Sequence, residues 1–274
     1  MPADLHIHST FSDGTDTPEE IVKKAAVGGL TVISITDHDN IDAIKPAIKA
    51  AQDLSIEVIP GIELSTELPG YEIHILGFYF DYESEFLNNF LKKLVLSRRE
   101  RIYKIADKLS NIGVKVDAEK ILKSAGQGSA GRPHIARVMV EDGFASDIGD
   151  AFRKYLNFGL PSYVSHYKMT PKEAVDLIKK CGGFSVLAHP AASKCRHILD
   201  NFISDGIDGI EVFYLNHNNF QKKEFLDFAI KNGLIITGGS DYHGVSINKN
   251  VNLGDLKLND KYIIDLKNRR NLKP

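Results

Sequence analysis

Histidines and carboxylates recur along this chain in short groups: His6-Ile7-His8, Asp13, Thr36-Asp37-His38-Asp39, Glu63 with His74, Ala188-His189-Pro190 and Ser240-Asp241-Tyr242-His243. Imidazole and carboxylate together are the ligand set of divalent transition ions, and several such groups converging in one cleft would build a multinuclear centre. Nearly all of them follow a run of β-branched and aliphatic residues. In a barrel of parallel strands every strand end opens on one shared mouth, so residues remote in sequence would meet there. His6 and His8 alternate with Ile7 on a predicted strand, which turns both imidazoles to the interior and Ile7 outward. Plainer readings stand beside each group. A strand histidine is commonly a core residue, Asp13-Gly14 is an ordinary turn, Asp39 or Asn40 would cap the next helix, Glu63 would be a surface carboxylate and His74 a partly buried strand residue. Requiring all of these at once is hard to sustain. The last group also follows Thr237-Gly238-Gly239, where missing side chains permit close approach of backbone or ligand.

The elements that must carry these residues read as alternating strands and helices. Ala3 to His8 is a strand, and Thr17-Pro18-Glu19-Glu20 opens a helix with a cap, an early proline and acidic charge, closing at Gly28-Gly29. Strands are expected over Thr31–Thr36, Glu57–Ile62 and Glu72–Phe80, with a helix over Ile41–Leu54. From about Glu83 the strand signal disappears. A long helix through Phe86, Phe90, Leu94, Ile102 and Ile105, rich in Arg and Lys, precedes shorter helices around Ala118–Lys123, Pro133–Glu141 and Ile148–Tyr155. Alternation resumes after Tyr163, with helices Pro171–Lys180, His197–Ser204 and Phe220–Asn232 and strands Phe184–Ala188, Gly209–Phe213 and Leu234–Gly238. Without the helical segment roughly 200 residues remain, short of the roughly 250 of an eight-unit barrel. The expected fold is α/β, a smaller, distorted barrel of seven strands over residues 1–82 and 163–274, with an inserted helical subdomain at 83–162.

Composition fits a soluble globular chain: of 274 residues, 43% are hydrophobic and 26% charged, with a formal net charge of -2. No overall basic field draws it onto nucleic acid, so phosphate binding must be local, and no stable nucleic-acid complex is expected. Met1-Pro2-Ala3-Asp4 runs into a strand without a basic, apolar leader, and no apolar run reaches membrane-span length, so a cytoplasmic protein is expected. Cys181 and Cys195 are the only cysteines and read as unreactive thiols in a reducing compartment.

His6-Ile7-His8, Thr36-Asp37-His38, Glu63, His74, His189 and Asp241-Tyr242-His243 together resemble the four-part signature of the PHP family, named for polymerase and histidinol phosphatase. The resemblance runs essentially end to end. Gly131-Arg132-Pro133-His134-Ile135-Ala136-Arg137 and Thr237-Gly238-Gly239-Ser240-Asp241-Tyr242-His243-Gly244 are similar to the branch holding nucleoside 3′,5′-bisphosphate phosphatases and 5′-to-3′ exoribonucleases. The resemblance implies a seven-stranded barrel with three divalent metal ions at its mouth. It assigns His6, His8, Glu63 and Asp241 to one ion, Glu63, His74 and His189 to a second and Asp13, His38 and His243 to a third. Manganese is the first expectation, and ligands of this mixture also accept zinc or iron.

Such a centre would serve a phosphoesterase. Asp37, Asp39 and His217 are candidates to donate the leaving-group proton or orient ligands. Ser129, Arg132 and His134, beside a glycine-rich turn at a helix start, and Lys168 are candidates for a second phosphate. Arg132 pairing with a barrel acid, and a buried His134, are the structural alternatives. The branch often carries Pro and Arg where this chain has Ser165 and His166, which would alter preference. The expected substrate is a nucleoside 3′,5′-bisphosphate, with short 5′-phosphorylated RNA as a further one. Histidinol-phosphate phosphatase is the nearest rival, a metal amidohydrolase a more distant one, and a non-catalytic metal-binding module would predict degraded ligand positions, whereas every one is filled.

Overall fold

The computed structural model describes residues 1–126, 128–165, 169–245 and 251–272. The fold is mixed α/β. Strand β1 (Ala3–Ile7) leads to helix α1 (Pro18–Val27), β2 (Val32–Ile35), α2 (Ile44–Ala51) and the short β3 (Glu57–Val58). These three strands form one parallel sheet in the order β1-β2-β3. Helix α1 starts as its sequence dictates: the Thr17 hydroxyl accepts from the Glu20 amide, the Glu20 carboxylate accepts from the Thr17 amide, and Ile21, Val22 and Ala25 turn inward. Helix α2 is shorter than expected and uncapped. Asp39 and Asn40 do not cap it, because Asp39 is engaged elsewhere and the Asn40 side chain accepts from the nearby Asp42 amide.

The expected strand Glu57–Ile62 is two strands, divided at Pro60, which has no N–H to give to a ladder. Past it, β4 (Gly61–Leu68) and β5 (Tyr71–Phe78) form a hairpin around Pro69-Gly70, with Gly70 at φ +88. Strands joined by so short a turn must be antiparallel. Strand β5 also pairs antiparallel with β6 (Phe184–Leu187), so the strands are not all parallel as the barrel expectation had them. Parallel pairing resumes through β7 (Gly209–Tyr214) and β8 (Ile235–Gly239), giving a second sheet in the order β4-β5-β6-β7-β8.

Short bridges link the sheets. Asp39 N donates to Glu63 O and Glu63 N to Asp37 O at one seam, while Asp241 N donates to His6 O and His8 N to Tyr242 O at the other. Gly239 is required at the second seam: a Cβ there would lie 2.2 Å from the His6 Cβ and 2.5 Å from its amide nitrogen.

Between β5 and β6 runs the helical segment: α3 (Glu85–Ser110), α4 (Ala118–Ser124), α5 (Arg132–Glu141), α6 (Ile148–Ala151) and a π-helical turn at Phe152–Leu156. Helix α3 serves two cores. Its Leu87, Leu91 and Leu94 pack with Ile62, Ile75 and Val175 of the sheet side; its Ile102, Ile105 and Leu109 pack with Ile121, Ile135 and Met139 of the helical side. Helices α7 (Pro171–Lys180), α8 (Leu199–Ser204) and α9 (Asn219–Lys231) cover the second sheet. The final helix, α10 (Asp260–Asn271), went unforeseen, since only Ile263 and Leu266 of its mostly charged sequence are buried.

Candidate metal centre

Glu63 lies in the middle of β4, buried, with five imidazoles around its carboxylate. Oε1 is 2.8 Å from His74 Nδ1 and 3.1 Å from His189 Nε2; Oε2 is 3.1 Å from His38 Nδ1, 3.2 Å from His8 Nε2 and 3.4 Å from His6 Nε2. His38 and His189 come from just past the ends of β2 and β6, His74 from the middle of β5, and His6 and His8 from the end of β1 and the residue that follows it. Asp241 Oδ1 is 3.1 Å from His8 Nε2 and 3.4 Å from His6 Nε2. Asp13 completes a further group, with Oδ1 3.3 Å from His243 Nε2 and Oδ2 3.7 Å from His38 Nε2. All nine sequence-derived ligand candidates therefore stand in one cluster. Their donor atoms fall into four overlapping groups able to hold a metal: His8-Asp13-His38-His243, His6-His189-Asp241, His6-His8-Glu63 and His38-Glu63-His74.

The residues fit divalent ions on a direct observation. His6 Nε2, His8 Nε2, His38 Nδ1 and Glu63 Oε2 are buried and have no hydrogen-bond partner, although they converge on one another. Unsatisfied buried polar atoms are costly, and here a cation would satisfy several at once. Charge follows the same pattern. Burial opposes ionisation of Glu63, but the imidazoles of His38, His74 and His6 outweigh it and hold its carboxyl well below the usual range. Burial likewise works against charging His8, yet Asp241, Glu63 and Asp13 push it up to about 10. Positive charge is thus favoured among the carboxylates on His6, His8 and His189, whereas burial holds His38 neutral, and metal binding would displace those protons.

Several supporting groups escaped the sequence reading. Glu211, buried within the apolar strand β7, sets its Oε1 3.0 Å from His6 Nδ1 and accepts from the His189 amide, fixing two ligands from behind. Its one signal was a carboxylate in the run Gly209-Ile210-Glu211-Val212. Tyr214 donates to Asp241 Oδ2, and Asp4 accepts from the Ser240 amide, tying β8 to β1. Asp37, a candidate acid, instead accepts from the Ser9 amide and from the Ser9 and Ser12 hydroxyls, organising the loop after β1. Asp39 receives Arg98 Nε at 2.6 Å and the Ser65 amide at 3.0 Å, with φ at +51. His217 is buried behind Tyr214, their rings 5.1 Å apart, with Nδ1 on Val212 O and burial depressing its pKa.

The helical segment closes over this cluster. One cavity is lined on the strand side by Asp13, His38, Ser65, Glu72 and His74 and on the helical side by Arg98, Arg101, Ser129 and Arg132. Buried Arg98 ties the two together through Asp39, the Ser65 hydroxyl at 2.6 Å and the Ala130 carbonyl. The sequence noted the basic character of α3 without selecting Arg98 or Arg101, because only the three-dimensional path of the helix brings them here. The structural alternatives for two predicted residues are also realised. Arg132 pairs with Glu72 at 2.8 Å while still lining the cavity. His134 is buried and does not line it; its Nδ1 accepts from the Gly131 amide, and burial lowers its pKa to about 4. The Ser129 hydroxyl is buried in the cavity wall without a partner. Lys168 and His166 lie outside the described residues. Both cysteines are buried and free, and burial pushes the Cys195 thiol up to about 12.

A PHP-domain family model matches residues 4–159. The 5′-3′ exoribonuclease Rnm of Escherichia coli K12 is 34% identical over 247 residues, covering 88% of this chain and 84% of that protein. The 3′,5′-nucleoside bisphosphate phosphatase of Chromobacterium violaceum is 32% identical over 246 residues, covering 88% of this chain and 86% of its own length. Among solved structures, a protein of Bifidobacterium adolescentis assigned as a metal-dependent phosphoesterase superposes with a TM-score of 0.88 at 28% identity, covering 97% of this chain and 96% of its own. Among the described residues, no helix is long and apolar enough to cross a membrane.

Proposed function

The chain belongs to the PHP family and is a phosphoesterase of its exoribonuclease and bisphosphate phosphatase branch, and on that premise we propose that it removes the 3′-phosphate of nucleoside 3′,5′-bisphosphates and releases 5′-mononucleotides from short 5′-phosphorylated RNA. One observation carries the reading: a single cavity has Asp13, His38 and His74 of the histidine–carboxylate cluster on one side and Arg98, Arg101, Arg132 and Ser129 on the other. The chemistry of its two sides suits two phosphates joined by a nucleoside. Histidinol phosphate, with one phosphate, leaves the arginine wall without a purpose.

The cluster is read as holding three divalent ions, manganese first and zinc or iron as alternatives, with the ligand sets the resemblance implies: His6, His8, Glu63 and Asp241; Glu63, His74 and His189; Asp13, His38 and His243. Bound there, the ions supply water activated near neutral pH and neutralise charge on the phosphate oxygens. The chain's own residues do the rest. Glu211 and Tyr214 orient ligands, Asp39 holds Arg98 against the cavity, and the guanidinium of Arg132 offers a planar, paired set of donors to an incoming phosphate in competition with Glu72. Asp37, Asp39 and His217 are assigned positioning roles, consistent with their burial and their existing partners. The two bridged sheets are read as a distorted barrel over residues 1–82 and 163–274, with 83–162 as the substrate-binding insertion, supported by the separate core that starts at Ile102. A cytoplasmic location and a substrate held only transiently, with no lasting nucleic-acid complex, complete the reading.

The test is digestion of matched 5′-phosphorylated and 5′-hydroxyl oligoribonucleotides with product sizing, alongside phosphate release from a 3′,5′-bisphosphonucleotide. A 5′-hydroxyl end loses the charge-assisted contacts of the arginine wall, so turnover should fall at least about tenfold. Equal rates on both ends, or release of nucleotides from the 3′ end first, would overturn the assignment.

A further inference from the structure

Of the nine ligand candidates, only Asp13, His38 and His74 line the cavity beneath the helical segment; His189 belongs to the group with His6 and Asp241 that does not. From His189 the chain passes through Pro190 and Ala191 into a second, open cavity on the surface, lined by Ala191, Lys194, Arg196, His197, Gln221 and Glu224. Beside it Phe220 is 69% exposed, with the Arg196 guanidinium 5.6 Å from its ring centroid. A singly exposed phenylalanine is ordinary. One that carries a guanidinium over its face, next to Lys194, offers a stacking surface and phosphate-directed charge together, the combination that binds single-stranded nucleic acid without reading its sequence, while His197, held by the Tyr71 hydroxyl at 2.8 Å, forms the cavity's edge. Glu224 is the one acid among the lining residues, and Arg196 already covers it at 2.6 Å.

Chain direction selects the occupant. With the 5′-phosphate against the arginine wall and the scissile phosphate over the cluster, the remainder of an RNA would pass the ligands that do not line that cavity, and His189, beside Glu63 and His74, leads along the chain to the second cavity. We propose that the surface formed by Lys194, Arg196, His197 and Phe220 is the track for the RNA strand 3′ of the scissile bond, with a base on Phe220 and a backbone phosphate beside Lys194. This rests on the exoribonuclease reading. The track adds binding only for substrates long enough to reach it, so the enzyme favours oligonucleotides over dinucleotides while treating a bisphosphonucleotide independently of it.

The experiment compares kcat/KM of the metal-loaded wild type, Lys194→Glu and Phe220→Ala on a 3′,5′-bisphosphonucleotide, a 5′-phosphorylated dinucleotide and a 5′-phosphorylated octamer, each at two salt concentrations. Both variants should retain bisphosphonucleotide turnover and lose about five- to tenfold on the octamer, and Lys194→Glu should flatten the octamer's salt dependence. Wild-type cleavage of the octamer with both variants unchanged overturns the track alone. Failure of the wild type to cleave any oligonucleotide overturns the exoribonuclease reading beneath it.

Discussion

The histidine–carboxylate cluster on the strand side and the helical segment that faces it treat buried polar atoms differently. On the strand wall, in and directly behind the cavity lining, His6 Nε2, His8 Nε2, His38 Nδ1 and Glu63 Oε2 are buried without hydrogen-bond partners. On the helical side the two arginines are already engaged, Arg98 with Asp39, Ser65 and Ala130 and Arg132 with Glu72 and Leu156, and the Ser129 hydroxyl is buried there without a hydrogen-bond partner. The first wall offers donors that divalent cations would satisfy; the arginines of the second are held in place by the fold. The strand wall should therefore respond to metal and the helical wall to substrate architecture, and substitutions can separate the two.

The largest effect is expected at the point of greatest convergence. Glu63→Gln keeps shape and burial but removes the charge that five imidazoles share, so it should bind less metal than the wild type by more than one equivalent and lose at least about a thousandfold in activity. Metal analysis and circular dichroism check this. Added Mn²⁺ should raise the melting temperature of the wild type and not of the variant; wild-type metal content in Glu63→Gln would sink the ligand assignment.

Next comes the tether between the walls. The Arg98–Asp39 pair is almost fully buried, so Arg98→Ala strands a carboxylate away from water and should cost roughly 3–5 kcal/mol of stability. Replacing both partners should cost less than the sum of the single changes. Denaturant midpoints of the single and double variants decide it; a cost for Arg98→Ala within about 1 kcal/mol, typical of an exposed pair, would mean that the walls are not tied here. Arg132→Ala should act more selectively, lowering kcat/KM on a 3′,5′-bisphosphonucleotide about tenfold while sparing an aryl phosphate. Equal losses on the two substrates would confine Arg132 to its pairing with Glu72.

The two walls also differed in how much their sequence disclosed. The strand wall was legible because most of its ligands sit on or shortly past an apolar strand: alternation pairs His6 with His8, and a glycine pair before Asp241 and His243 lets β8 lie against His6, while Asp13, Glu63, His74 and His189 became legible only through the family resemblance. Even there the local pattern failed twice. Pro60 divided one expected strand, and the Pro69-Gly70 turn made β4 and β5 a hairpin, so Glu63 occupies mid-strand rather than a strand end. The helical wall was less legible because its contacts span long separations. Arg98 meets Asp39 and Arg132 meets Glu72 only once α3 and α5 have packed against the β4–β5 hairpin, and no spacing within either helix encodes those pairs. Glu211 was hidden for a related reason: it reaches His6 across the interior from a strand whose neighbouring residues are apolar.

The smallest effect separates the walls by pH. His134 was selected as a substrate contact, but its buried ring holds the start of α5 by accepting from Gly131, a bond that requires an unprotonated Nδ1. Burial lowers its pKa to about 4 from the ordinary 6.5, so folding favours the neutral ring. The sign follows from linkage: the stabilisation is complete above the unfolded pKa near 6.5 and is lost as pH falls toward the folded value near 4. Between pH 7 and 5.5 that loss is roughly 1 kcal/mol. The wild type is compared with His134→Asn, which keeps an acceptor near Gly131 and removes the ring. Denaturant melts at both pH values should show the wild type losing about 1 kcal/mol more than the variant. Parallel pH dependence in the two proteins would show that His134 titrates freely, and would return its imidazole to the list of groups able to meet substrate.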